Sequence, residues 1–412
     1  MGRGLPAVYA TLLTLLAWQL IPTHPAHAAS GLRVKDGRLV EANGQDLVLR
    51  GVNHSYSWYA NRTRGVLTAV KAAGANSARL TLSIGHLFKP ATTAADASST
   101  VSLCRQHRLI CILEAHDASG YGQVRGAATL DEVVDYWISI RGALAGQENY
   151  VILNVANEPF GYRVRSTWTQ DTMRAIKRLR AAGFRHTLMV DAPEWGQDDL
   201  FTMRDNAPTV LAADPDRNTV FDIHMFGTFN TPAKVQSYLQ SLVARRLPIV
   251  VAEFANNHPY GKPAADAVMQ YAQAYRVGFL GWLWSGDTEA GYLNMVNNFD
   301  PSLRTPWGVR FLTGVNGLRT NAREATIFGG AAKHRWNWSD LWPWSMRLVE
   351  GRREDQLEAS TPRTERAVGD LLDHVNVLPG VHGRGDEDTV QAADQALAEV
   401  AHPADLLAGP AA

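Results

Sequence analysis

Residues 151–159, VILNVANEP, and residues 250–258, VVAEFANNH, decide how this chain is read. Each opens as an apolar run and then reaches a carboxylate, Glu158 in the first and Glu253 in the second. A run that is apolar on successive side chains suits a strand covered on both faces, as strands of a parallel sheet are. The two strands are expected over 150–158 and 248–254, and similar β-rich runs occupy 47–54, 78–83, 109–116, 187–191, 220–226 and 278–284. Between most of them lie segments with helical spacing, at 67–73, 130–144, 168–182, 233–246 and 264–275. Gly74 and Gly183 stand where glycine ends a helix. Strand and helix in alternation imply parallel strands joined by right-handed crossovers. The expected architecture is an α/β fold, a (β/α)8 TIM barrel, which the roughly 300 residues available would fill. A doubly wound open sheet is the alternative, and no glycine-rich nucleotide loop opens the series to support it.

Working outward, residues 31–54 carry Asp36-Gly37 and Asn43-Gly44, both hairpin-turn signals, so a short N-terminal hairpin should precede the first barrel strand. Residues 1–28 read as a secretory leader. Arg3 supplies the positive start, 10–21 form an apolar stretch too short for a confident membrane span, and Ala26-His27-Ala28 fits a cleavage site. The barrel domain is expected over 29–329. Residues 330–412 form an irregular tail, rich in tryptophan from Trp336 to Trp344 and then acidic and alanine-rich, with short helices expected at 365–375 and 389–400. Lys plus Arg and Asp plus Glu each number 40 in the 412 residues, a balance that argues against a nucleic-acid partner. No later stretch is apolar enough to span a membrane, and a monomer is expected. There are two cysteines, Cys104 and Cys111. An exported chain meets oxidising conditions, so they either form a bridge closing a very short loop or remain two buried thiols.

The strand ends deliver polar and aromatic side chains to one rim, where barrel enzymes keep their catalytic groups. In chain order these are Asn53-His54 with Trp58 beyond, Arg79, the run Glu114-Ala115-His116-Asp117, Asn157-Glu158, Asp191 with Trp195 beyond, His224, Glu253, and Trp282 and Trp284. Two carboxyl groups on such a rim suit glycosidic bond cleavage. A retaining mechanism needs one as nucleophile and one as acid, only about 5–5.5 Å apart. The acid must keep its proton near neutral pH, and an arginine beside the nucleophile keeps that group ionised. Arg79 is placed for that task. Asn157 can donate to a sugar hydroxyl, and Trp282 can stack on a sugar face, with Trp284 on the same side of the strand. His54, His116 and His224, and Trp58 and Trp195, complete the candidate substrate-binding set, each with an alternative role in simple packing.

Taken together, RGVNHSYSWY, GANSARLTLS, LICILEAHDASGYG, YVILNVANEPFG, HTLMVDAPEWGQD, VFDIHMF, PIVVAEF, GWLWSGD and REATIFG resemble glycoside hydrolase family 5. The HDASGYG and DAPEWGQD stretches narrow the resemblance to secreted bacterial endo-β-1,4-mannanases, over about residues 31–329. That resemblance implies Glu158 as acid/base, Glu253 as nucleophile and Arg79 as the arginine that contacts it. It also implies His116, Asn157 and His224 around the cleavage point and Trp282 as sugar platform. The implied substrate is a β-1,4-mannan cut internally, with no cofactor and no metal. A β-1,4-glucan or glucomannan, and a polysaccharide-binding protein that has lost catalysis, are the competing readings. The chain departs from the family in having Phe226 where a tyrosine usually bonds the nucleophile, and Trp-Leu-Trp where Trp-Ser-Trp is usual. The tail matches no pattern of the family.

Overall fold

The computed structural model describes residues 31–329, apart from Tyr260 and Glu289. The expected leader and the tryptophan-rich tail lie outside the described residues. The chain opens with a hairpin of β1 (Arg33–Lys35) and β2 (Arg38–Val40). Its turn residues Asp36 and Gly37 both have positive φ, at 51° and 74°, as a two-residue turn matched to strand twist requires. Eight parallel strands follow: β3 (Arg50–His54), β4 (Ser77–Leu82), β5 (Ile110–Ala115), β6 (Val151–Asn154), β7 (Thr187–Asp191), β8 (Thr219–Met225), β9 (Ile249–Phe254) and β10 (Gly278–Gly281). They pair in sequence order, and β10 closes on β3 to complete the barrel.

A helix follows each strand, in order Thr63–Ala72, Ala94–Gln106, Leu130–Ser139, Trp168–Ala181, Thr202–Ala213, Pro232–Val243, Ala265–Tyr275 and Pro306–Thr313. Capping boxes start two of them, Thr93 with Asp96 and Thr129 with Glu132, each pair satisfying two helix-end amides. The expected helix over 130–144 breaks at Ile140 into two pieces. The helix Thr202–Ala213 escapes sequence reading because Pro208 sits inside it. Strand lengths also differ from expectation. β6 stops at Asn154 and β10 at Gly281, so Glu158, Trp282 and Trp284 stand on loops beyond the strands.

Side-chain alternation splits the core into two. On β5, Cys111, Leu113 and Ala115 face the helices, within the large outer cluster. Ile110 and Ile112 face the lumen, where they meet Leu49, Ile152, Met189, Val220, Val250 and Leu280. Leu32, Leu39 and Leu47, from the hairpin and the segment after it, close this inner cluster from below. Each fully buried aliphatic side chain contributes about 1.5–3 kcal/mol, so the lower lumen is a dense stabilising plug. Cys104 and Cys111 are both buried and unbridged, with their sulfurs 2.6 Å apart, and burial pushes the Cys111 thiol up.

Candidate active site

Above the apolar plug the lumen changes character. Arg79, fully buried on β4, spreads its guanidinium across four acceptors. Nη1 donates to Glu253 Oε1 at 2.6 Å and to Asn53 Oδ1 at 3.0 Å. Nε donates to Asn154 Oδ1 at 2.8 Å and Nη2 to Asn157 Oδ1 at 2.7 Å. Glu114 Oε2 and Asp191 Oδ2 each lie 3.7 Å away. Burial opposes the charge on Arg79, but Glu114, Glu253 and Asp191 more than restore it.

Glu253 reaches the lumen through a bulge. Asp222 pairs with Val250 and His224 with Glu253, so two steps on β8 face three on β9. The extra residue reverses the alternation, turning Glu253 inward although Ala252 beside it also lies in the inner cluster. The Ala252 amide is taken by Asp222 Oδ1 at 2.8 Å, and its carbonyl accepts from Asn53 Nδ2 at 2.8 Å. Glu158 is held differently, on a loop residue with φ of 41°. Its amide donates to Asp191 Oδ2 at 2.9 Å and its carbonyl accepts from Gly120 at 3.0 Å.

His224 joins the two glutamates. Its Nδ1 is 2.7 Å from Glu158 Oε1 and 3.6 Å from Glu253 Oε2. An atom from each of Glu158, His224 and Glu253 falls within 4.8 Å of the other two. That trio, and Asp191 with Asp222 and His224, are the groupings of described residues with the spacing to hold a cation. Burial pushes Glu253 up from the usual carboxylate range, and the positive charges of His224 and Arg79 pull it back part of the way. For His224, burial works against the charge, but Glu253, Asp222 and Glu158 together carry its pKa well above the ordinary value. Burial, reinforced by Asp222, pushes Asp191 up to about 8. Two glutamates close together, one gripped by arginine and one bonded to histidine, can divide nucleophilic and proton-transfer work between them.

A family model described as cellulase (glycosyl hydrolase family 5) matches residues 40–288. This chain belongs to glycosyl hydrolase family 5. Among family relatives, a mannan endo-1,4-beta-mannosidase of Streptomyces lividans is 49% identical over 305 residues, 74% of this chain and 79% of that one. Another mannan endo-1,4-beta-mannosidase, from Cellvibrio japonicus, is 44% identical over 306 residues, 74% of this chain and 71% of that one. The solved mannotriose complex of Thermomonospora fusca beta-mannanase is 47% identical and superposes with a TM-score of 0.71, covering 73% of this chain and 100% of that chain.

Within this family 5 barrel, Arg79, His116, Asn157, Glu158, His224 and Glu253 come together at one end. His116 Nδ1 sits 2.9 Å from Glu114 Oε1. Burial lowers its pKa but Glu114 outweighs that and raises it. Its ring lies parallel to Trp282, centroids 6.2 Å apart. Trp58, half-buried, meets the edge of His116 and packs on Phe88 at 4.6 Å. Trp195 is buried, its indole nitrogen donating to Gln123 Oε1 at 3.2 Å and its ring filling the space beside Gly120. Asn157 spends its amide on Arg79 and on Ser119 Oγ at 2.8 Å, which fixes the loop that carries Glu158.

Two expectations are corrected. His54 turns away from the lumen, 3.0 Å from Thr63 Oγ1, and burial drops its pKa to about 3. It must, because its neighbour Asn53 already points inward. Trp284 is 1% exposed and packed in the outer core, so it offers no face to a sugar. Phe226 brings no hydroxyl and instead stacks on His258 at 5.1 Å. Sequence reasoning left Glu114, Asp191 and Asn53 without roles and did not mark Asn154 or Asp222 at all. Glu114 and Asp222 lie two residues before His116 and His224 in the strands expected over 109–116 and 220–226, so strand periodicity alone suggests the same face for each and its histidine.

Proposed function

We propose that this chain is an exported, retaining endo-β-1,4-mannanase that works as a monomer. The observation that carries the reading is the closeness of Glu158 and Glu253, within 4.8 Å with His224 between them, and the grip of Arg79 on Glu253. That spacing suits direct attack and leaves no room for the intervening water of an inverting enzyme. Glu253 attacks the anomeric carbon as Glu158 protonates the leaving sugar oxygen. Glu158 then takes a proton from water, whose oxygen displaces Glu253 and releases the sugar with its configuration retained. Trp282 and His116 border the place where the sugar lies. The mannan reading draws support from the names of the relatives, and the export reading from Arg3, the apolar stretch at 10–21 and Ala26-His27-Ala28.

The test is reducing-sugar release from β-mannan beside carboxymethyl cellulose, with Glu158→Gln and Glu253→Gln as controls. Release from mannan that both substitutions abolish is expected, with β-anomeric product first seen by NMR. Equal rates in the variants, or first product as the α-anomer, would sink the mechanism. Faster release from carboxymethyl cellulose would move the substrate to a glucan. N-terminal sequencing of protein from culture medium reads the export step, with a start near Ala29 expected.

A further inference from the structure

Beneath His224 lie two carboxylates, Asp191 on β7 and Asp222 on β8, which the mechanism above does not use. Both are fully buried. Asp222 divides its oxygens between two jobs. Oδ1 accepts the amide of Ala252 in the β9 bulge, at 2.8 Å. Oδ2 has no hydrogen-bond partner among the described residues and faces His224 Nε2 across 3.6 Å. Nε2 has no hydrogen-bond partner among the described residues either, and Asp191 Oδ2 stands 3.5 Å from it. Orphaned buried polar atoms are costly, and a carboxylate turned toward a ring nitrogen is relieved when that nitrogen carries a proton. The ring is fixed in place. A Cβ on Gly196 would fall 2.6 Å from His224 Cγ, and the His224 amide donates to the Gly196 carbonyl at 2.8 Å.

We propose that Asp222 is a positioning residue which fixes a proton on His224 Nε2, so that His224 Nδ1 shares the working proton with Glu158 Oε1. This rests on the reading of Glu158 as acid/base. With a hydrogen held on Nε2, Nδ1 accepts from protonated Glu158 or donates to ionised Glu158 across the same 2.7 Å. A buried aspartate behind a histidine selects the tautomer and stabilises the imidazolium in the same way in other enzymes. Between transfers the proton is shared by Oε1 and Nδ1. One proton leaves for the sugar oxygen, one returns from water, and His224 ends each cycle as it began. The groups facing His224 are Glu158 from the loop after β6, Asp191 from β7, Asp222 from β8 and Glu253 from β9, with Arg79 of β4 at 3.7 Å from Asp191. Burial opposes the charge on the ring, but Glu253, Asp222 and Glu158 together favour the charged form. A purely structural Asp222 needs only an acceptor for the Ala252 amide, which asparagine supplies as well.

Asp222→Asn separates the two roles, because it keeps that acceptor and removes the charge. The alkaline limb of kcat/KM on β-mannan is expected to move about one pH unit lower, with a roughly tenfold loss near that limb. A 2,4-dinitrophenyl β-mannoside, whose leaving group needs no proton, should lose under about threefold in glycosyl-enzyme formation. NMR of 15N-histidine protein, with the His224 signal assigned by its loss in His224→Gln, should show Nε2 protonated across neutral pH in the wild type. An alkaline limb and an Nε2 state both unchanged in Asp222→Asn would overturn the proposal and leave Asp222 serving the bulge alone. If that variant does not fold, the wild-type spectrum decides, and a bare Nε2 at neutral pH overturns it. Absence of sugar release by wild type would instead sink the role of Glu158, and the spectrum would still report on His224.

Discussion

The lower and upper halves of the barrel lumen are built by the same strands and could hardly differ more. On β5 the inward row reads Ile110, Ile112, Glu114, and on β8 it reads Val220, Asp222, His224. One step up these inward rows from the plug, apolar burial gives way to Arg79 and its ring of carboxyl groups. Charges taken out of water to this degree cost more than they return unless partners meet them in good geometry. The contrast teaches that the apolar floor carries stability so that the storey above it can be spent on chemistry, as functional sites commonly trade one for the other.

The comparison is broken most sharply at Arg79. Arg79→Met should cost about 3–5 kcal/mol in urea unfolding, because Glu253, Glu114 and Asp191 are left without their cation. The same variant should lose at least about 10²-fold in kcat/KM on mannan. A variant as stable as wild type would mean the upper storey is neutral or wet in solution. Next comes the floor. Ile112→Ala should lose about 2–5 kcal/mol through the cavity it leaves, with the pH profile of kcat/KM unmoved. A shifted profile would show that the two halves are not separate.

Acidity sharpens the contrast further. Asp191 rises from 3.8 to about 8 on folding, through burial and the charge of Asp222, and His224 is raised as well. A group whose pKa rises on folding contributes stability that is full below its unfolded value and lost as pH climbs through the folded one. The melting temperature should therefore decline as pH rises from about 4 to about 8. Asp191→Asn should flatten that decline and melt higher than wild type near pH 8, while losing activity, and an unchanged slope would remove Asp191 as its source. The smallest effect is expected at His54, on the outer face of β3. His54→Gln should lower the melting temperature by about 2–4 °C and leave the pH profile of kcat/KM alone, whereas a moved profile would return His54 to the site.

Much of this was legible in the sequence. Continuous apolar runs mark parallel strands, and their ends place Arg79, Glu158, His224 and Glu253 on one rim. The parity of neighbours was legible too, since Asn53 and His54 on one strand cannot both face the lumen. What the sequence hid was the bulge. In VVAEF nothing distinguishes a regular strand from one that turns both Ala252 and Glu253 inward, because the deciding partners, Asp222 and Asn53, lie 30 and 199 residues away. Asp222 was hidden for the same reason, as an acid inside the apolar run VFDIHMF whose partner is a backbone amide on the next strand. The packing of Trp284 into the outer core depends on where the chain goes after β10 ends.

The hairpin that plugs the floor has a partner at the far end of the described chain. Glu41 accepts the amides of Thr326 and Ile327 at 2.9 and 3.0 Å, and Leu32 beside it belongs to the lumen plug. Both termini of the described segment are thus moored at the closed base, opposite the open mouth that holds Glu158 and Glu253. Gly31 and Gly329 are therefore attachment points on the underside, the face away from Glu158 and Glu253.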